Sequence, residues 1–173
     1  GGAGFIGSNF VHHVLEKYDN DYNVIVYDKL TYAGNLENHA DVKDDPRYEF
    51  VRGCITDFDR LDEVVREYDI DRVINFAAET HVDRSSHDSC EEFVLTNTLG
   101  TQMILDVVKK NDLDKLLYVS TDEVYGSLAL DSDEEFTEET PIEPNMPYAA
   151  AKAGGDLMCR SYYQTHEIPV IVT

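Results

Sequence analysis

Gly1-Gly2-Ala3-Gly4-Phe5-Ile6-Gly7, with glycines at positions 1, 4 and 7, opens directly into an apolar stripe of Phe10, Val11, Val14, Leu15 and Tyr18 at helical spacing. Glycines so placed permit a tight turn, bring backbone N–H groups up to a pyrophosphate and leave room for helix–strand packing. The amino end of the helix adds partial positive charge. Such a triplet alone is a weak signal. The next segment strengthens it, because Asn23-Val24-Ile25-Val26-Tyr27 reads as a strand and ends in Asp28, twenty-one residues after Gly7. An acid there accepts hydrogen bonds from an adenosine ribose and repels the additional phosphate of NADP, so NAD is the expected cofactor.

The rest of the chain alternates in the same way. Tyr48 to Arg52 reads as a strand, and Leu61, Val64, Val65 and Tyr68 mark one face of a helix. Arg72 to Ala78 reads as a strand ending in small residues that let a cofactor lie close. A long helix is expected over about residues 88 to 111, with Phe93, Asn97, Gly100, Ile104, Val107 and Val108 on one stripe. Lys115 to Val119 is a further strand, Tyr148 to about His166 a further helix, and Ile168 to Thr173 a last strand. This order implies a parallel sheet with helices on both faces, an α/β doubly wound fold of Rossmann type. The glycine motif should follow a strand, yet the chain begins at its first glycine, and the last strand stops abruptly. The expectation is an internal piece of a longer protein, in which residues 1–173 form part of an NAD-binding domain and the first strand and the substrate-binding region are absent.

Ser120-Thr121-Asp122-Glu123-Val124-Tyr125-Gly126 follows an apolar strand, so Thr121, Asp122 and Glu123 emerge at its carboxyl end, where open α/β sheets bind ligands. Taken alone, Thr-Asp-Glu also fits a turn and an N-cap. Downstream, Tyr148 and Lys152 stand four apart, which on a helix places phenol and ammonium on one face. A cation beside a phenol favours phenolate, so Lys152 is expected to lower the pKa of Tyr148 and make it a general base.

Fourteen basic against 35 acidic residues give a net charge of −21, which excludes nucleic acid and anionic membrane surfaces as partners. Part of the excess is local: Asp131, Asp133, Glu134, Glu135, Glu138 and Glu139 lie in the loop before Tyr148, either as a solvated loop or as a cover for the site. Cys54, Cys90 and Cys159 are widely spaced with no metal-binding pattern, which fits a reduced, cytoplasmic setting. His12-His13 is expected on an exposed helix face, His81 in a structural hydrogen bond, and no metal site is supported.

Together, Gly1 to Ser8, Asp28 to Asn35, Ala77 to Ser85, Thr96-Asn97 with Gly100-Thr101, Ser120 to Gly126, and Tyr148 with Lys152 resemble the dTDP-glucose 4,6-dehydratase family of extended short-chain dehydrogenase/reductases. The resemblance runs along nearly the whole chain and covers roughly the amino-terminal half of a family member. It implies that Phe5 and Ile6 approach the pyrophosphate, that Asp28, Lys29, Leu30 and Thr31 meet the adenosine ribose, and that Phe76, Ala77, Ala78, Glu79, Thr80 and Thr96 line the rest of the cofactor. Thr80, Thr121, Asp122 and Glu123 would touch the sugar nucleotide. Where the family usually has Asp before Ile, this chain has Cys54-Ile55, which puts the contact to the adenine amino group in doubt; a small buried residue is the expectation for Cys54. The segment after Ser85, Ser86 to Cys90, also lacks the family's usual proline.

The implied reaction is a dehydration of dTDP-glucose. Tyr148 would take the C4 hydroxyl proton as that carbon is oxidised, with Thr121 bonded to the hydroxyl and Lys152 holding the ribose and the phenol. Glu123 would remove the acidified C5 proton while Asp122 protonates the departing C6 hydroxyl. Adjacent carboxyls in opposite protonation states suit that task. The resemblance also implies a homodimer through the helices near 88–111 and 148–166. A UDP-sugar 4,6-dehydratase stays open at this point. So does a non-catalytic NAD-binding or dimer-forming fragment. A sugar-nucleotide 4-epimerase is opposed by Asp122-Glu123, since inversion at C4 needs no acid–base pair for C5 and C6.

Overall fold

The computed structural model describes residues 1–18, 21–80, 89–129 and 131–173. The glycine turn leads into helix α1 (Phe5–Lys17), followed by parallel strands β1 (Val24–Asp28) and β2 (Tyr48–Arg52). Helix α2 (Phe58–Glu67) is capped by the Asp57 side chain, which accepts from the Arg60 amide, and leads to β3 (Arg72–Asn75). A continuous helical run then begins with α3 (Glu91–Phe93), passes through a π-helical segment (Val94–Gly100) and continues as α4 (Thr101–Asn111). Strand β4 (Lys115–Tyr118), a 3-10 turn (Asp122–Tyr125), helix α5 (Pro147–His166) and strand β5 (Val170–Val172) complete the order. Proline at the first position of α5 is preorganised for a helix start, and Glu167 in left-handed conformation ends it.

The sheet falls into two parallel parts. In one, β1 pairs with β2, Val24 opposite Tyr48. In the other, β4 lies between β3 and β5, with Arg72 opposite Lys115 and Leu116 opposite Val170. Gly1 sits at the seam: its backbone nitrogen donates to the Tyr27 carbonyl at 2.8 Å, and a Cβ there would collide with the Ala77 backbone beyond β3. Helices cover both faces, as expected of a doubly wound fold. Val26 packs with Val11 and Leu15 of α1, whereas its neighbour Tyr27 points the other way, onto the larger core of α2, α4, β4 and α5. That core centres on Leu105, Val107, Leu116, Tyr118 and Cys159, all closed to solvent.

Three local expectations change. The strand expected to run to Ala78 ends at Asn75, because the Asn75 side chain accepts the Ala77 amide at 3.0 Å and turns the chain out of the ladder. The long helix begins at Glu91; residues 81–88, with His81 and Ser86 to Asp88, lie outside the described residues. His12 is not simply exposed beside His13. Its ring nitrogens meet the Asn38 carbonyl at 2.7 Å and the Asp41 carboxylate at 3.4 Å, which ties α1 to the turn after β1. Among the described residues no helix is long and apolar enough to cross a membrane.

One buried carboxylate joins α2 to α4. Asp62 is 3 % exposed and accepts from Asn111 and Lys110, both at 2.9 Å, and from Arg66. Hydrogen bonds from Asn111 and Lys110, ahead of the charge of Arg66, hold its pKa down to about 2. The unfolded carboxyl titrates near 4, so this stabilisation is fully present above about pH 4 and is lost as pH falls through 2. Urea titrations of the protein at stepped pH should therefore lose about 1–2 kcal/mol more between pH 5 and 2 than those of Asp62→Asn. Parallel pH curves for the two proteins would show that Asp62 does not carry it.

Candidate active site

The glycine turn forms one wall of a cleft at the carboxyl ends of β1 and β3. Gly7 is glycine for packing, since a Cβ would strike the Gly1 carbonyl. Gly4 is different: a Cβ there would find nothing of the protein nearer than 3.5 Å, so the glycine leaves room on the open side of the cleft. Gly4 also caps α1 without a side-chain hydrogen bond, and the first turn carries no acid. The amino end of a thirteen-residue helix thus faces the cleft with its partial positive charge uncompensated, which fits a pyrophosphate. Asp28 is anchored from behind, where its Oδ2 accepts the Ala3 amide at 3.0 Å and its Oδ1 the Leu30 amide at 2.8 Å.

Most of the residues expected around a dinucleotide meet here. Gly1, Gly4, Asp28, Lys29 and Thr31 line the cleft from one side; Phe76, Ala77, Ala78, Glu79 and Thr96 line it from the other. Cys54 and Ile55 close the end. Cys54 is half-buried on this wall rather than fully buried, its Sγ 3.0 Å from Thr56 Oγ1 and its carbonyl accepting the Tyr27 hydroxyl at 3.1 Å. Phe5 and Ile6 project outward beyond the cleft, 83 % and 62 % exposed. Leu30 contributes its amide to Asp28, Gly7 is packed behind the turn, and Thr80 is exposed outside the lining. The sequence reading missed Tyr27, Ala33, Gly34 and Gly53, which complete the wall. Gly53 carried a signal in principle, because a Cβ there would enter the Tyr27 ring.

The π-helical segment sets the floor. Asn97, 1 % exposed, holds the Glu79 backbone from both sides, accepting its amide at 2.9 Å and donating to its carbonyl at 3.0 Å. One residue on, Thr98 donates to the Ala151 carbonyl of α5 at 2.8 Å. The wider π turn lets successive residues serve the segment after β3 and α5 at once.

Tyr148, Thr121 and Glu123 come together at the carboxyl end of β4. Thr121 caps the 3-10 turn, accepting from the Glu123 amide, so the turn-and-cap reading of Thr-Asp-Glu is also correct. Tyr148, 7 % exposed, places its phenol beside Thr121 and Glu123. Glu123 Oε2 is buried without a hydrogen-bond partner, while Asp122 beside it is open to solvent.

The expected depression of the Tyr148 pKa is not what this arrangement produces. Burial first and then the charge of Glu123 push the phenol up; Thr121 lowers it in part, and Asp122 adds the smallest rise. Lys152 is turned elsewhere. Its Nζ donates to the Val119 carbonyl at 2.6 Å and lies 4.3 Å from the centre of the Tyr118 ring. Burial lowers the pKa of Lys152 to about 8, opposed by Asp156 and then Cys159. Asp156, absent from the sequence reading, accepts Ser120 Oγ with both carboxylate oxygens, at 2.6 and 2.8 Å. Its spacing, four residues beyond Lys152 as Lys152 is four beyond Tyr148, was the available signal.

A family model described as GDP-mannose 4,6 dehydratase matches residues 1–173. The low-salt glycan biosynthesis protein Agl12 of Haloferax volcanii is 48 % identical over 173 residues, covering 100 % of this chain and 53 % of the relative. A dTDP-glucose 4,6-dehydratase of Streptomyces niveus is 47 % identical over 176 residues, covering 100 % of this chain and 51 % of the relative. Among solved structures, DesIV, a dTDP-glucose 4,6-dehydratase of Streptomyces venezuelae with NAD and TYD bound, superposes with a TM-score of 0.92 at 45 % identity. That match covers 99 % of this chain and 52 % of the other. The chain thus spans about half the length of the relatives it matches.

Proposed function

The chain belongs to the GDP-mannose 4,6 dehydratase family, and from that premise we propose that it is the cofactor-binding and proton-handling part of an NAD-dependent dTDP-glucose 4,6-dehydratase. The observation that carries the reading is the meeting of a buried Tyr148 with Thr121 and with Glu123, whose Oε2 is buried and unpaired, at the carboxyl edge of the sheet where the glycine-walled cleft also opens. Bound NAD would supply the redox chemistry, taking hydride from the sugar C4 and returning it at C6. The turn at Gly1, Gly4 and Gly7 and the amino end of α1 would receive the pyrophosphate, and Asp28 the adenosine ribose.

Tyr148 accepts the C4 hydroxyl proton. Its pKa is raised by burial and by Glu123, so the phenolate needs a cation to favour it, and the Lys152 ammonium, one helical turn away, is the available one. Thr121 orients the C4 hydroxyl. Once C4 is a carbonyl the C5 proton becomes acidic, and Glu123, whose Oε2 has no protein partner, removes it. Asp122 delivers a proton to the C6 hydroxyl as it leaves as water. Its exposure in this chain is consistent with a sugar covering it.

A homodimer belongs to the same reading, supported by exposed Val94 and Leu95 on the π-helical segment and exposed Leu157 and Tyr163 on α5. So does a cytoplasmic location, in keeping with Cys54 and Cys159, neither of which is in a disulfide.

The test is to assay the full-length protein with dTDP-glucose and UDP-glucose in parallel, following the 4-keto-6-deoxy product by its absorbance in alkali. Product from dTDP-glucose, with no net consumption of NAD, is expected. Product from UDP-glucose alone would keep the chemistry and change the base. No product from either, with NAD bound, would refute the dehydratase reading and leave an epimerase or a non-catalytic module.

A further inference from the structure

The Tyr148–Lys152 pair stands on α5, and Thr121, Asp122 and Glu123 stand beyond β4, so their chemistry depends on how rigidly the two elements are joined. We propose that Asp156 is a positioning residue for this site: through Ser120 it clamps α5 to the carboxyl end of β4, and its carboxylate is the counter-charge of Lys152. The proposal rests on the dehydratase reading of the same site.

The clamp is short and two-pronged, with Ser120 Oγ within 2.6 and 2.8 Å of the two Asp156 oxygens. Ser120 is the residue immediately before Thr121, and its amide donates to the Thr173 carbonyl beyond β5 at 2.6 Å. One serine is therefore fixed by the sheet through its backbone and by α5 through its side chain. The same contact region has no slack: Gly155, next to Asp156, is so close to β4 that a Cβ would enter the Tyr118 hydroxyl and lie 2.8 Å from the Asn97 carbonyl.

The electrostatic half follows from what surrounds Lys152. Asp156 and Cys159 face it from its own helix, and Tyr118 lies against it from β4. The π-helical segment packed on α5 carries no charged side chain. Asp122 and Glu123, the acids of the 3-10 turn, act on Tyr148. Asp156, one helical turn along α5 from Lys152 though not in a direct ion pair with it, is thus the carboxylate placed to oppose its desolvation. It is itself raised by burial, and the Ser120 hydrogen bond, ahead of Lys152, pulls it back down. Removing the carboxylate should let burial lower Lys152 further, so that the ammonium is lost at a lower pH.

The experiment uses the full-length protein carrying 13C at the lysine ε-carbons, with the Lys152 signal assigned by its loss in Lys152→Arg, and two variants. Asp156→Asn keeps the shape and removes the charge; Ser120→Ala keeps the charge and removes the clamp. In Asp156→Asn the Lys152 titration midpoint should fall by about one pH unit, and the alkaline limb of kcat should move down with it. In Ser120→Ala, kcat should fall about tenfold or more with little change in KM for the sugar nucleotide, as expected of lost alignment. A midpoint unchanged in Asp156→Asn, or a Ser120→Ala kcat within twofold of the parent, overturns the proposal. If Asp156→Asn does not fold, the Ser120→Ala arm decides alone. A parent that turns over no sugar nucleotide refutes the proposed function, and the Lys152 midpoint then decides this proposal by itself.

Discussion

Glu123→Gln in the full-length protein should cut turnover about 10³-fold, within the range that a positioned general base supplies. Glutamine matches the carboxylate in shape, and the oxygen it replaces makes no hydrogen bond to the protein, so the loss should be chemical rather than structural. The substitution also removes a charge that holds the Tyr148 phenol up. Oxidation at C4 should therefore survive with its acidic limb displaced to lower pH, since a phenol with a lower pKa remains an effective base further into acid. Deuterium exchange at C5 separates the two steps. It should become undetectable, whereas exchange at the parental rate would take the base's role away from Glu123.

Tyr148→Phe should be as damaging and should fail one step earlier. Its ring packs with Phe93 and Ala151, and phenylalanine preserves that cluster, so thermal stability and dinucleotide affinity should stay near those of the parent. Only the hydroxyl, beside Thr121 and Glu123, is lost. Turnover is expected to fall by about 10²–10⁴, with no oxidised sugar in a single-turnover experiment. C5 exchange should vanish too, because that proton becomes acidic only after C4 is a carbonyl. A variant that still oxidises C4 would show that another group accepts the proton.

What could be read from the sequence was what depends on local spacing. The glycine triplet, the acid ending β1 and the order of strands and helices are written in short windows, and the fold follows them. The gathering of Tyr148 with Thr121 and Glu123 was also foreseeable, because β4 ends and α5 begins at the same edge of a parallel sheet. Charges were harder. Tyr148 and Lys152 do share a helix, yet whether an ammonium depresses a phenol depends on where Nζ points, and here it is held by the Val119 carbonyl. The same holds for Tyr27, whose ring fills the space over Gly53 and whose hydroxyl ends on Cys54. Such contacts join residues about 27 positions apart and leave no periodic trace. The π-helical turn was invisible for a subtler reason. Phe93, Asn97, Gly100 and Ile104 satisfy an α-helical stripe, and one extra residue of winding leaves that stripe nearly unchanged.

That extra winding has a mutational consequence. Between Val94 and Gly100 the chain is wound so that Asn97 reaches the Glu79 backbone and Thr98 reaches α5 from adjacent positions. Single substitutions at the outward positions leave this phase intact. Loss of one residue would restore ordinary winding and shift Asn97 against Thr98, so that the two could no longer reach the Glu79 backbone and α5 together, while Phe93 and α4 kept their phase on either side. Over these seven residues, variation in identity should be far better tolerated than variation in length.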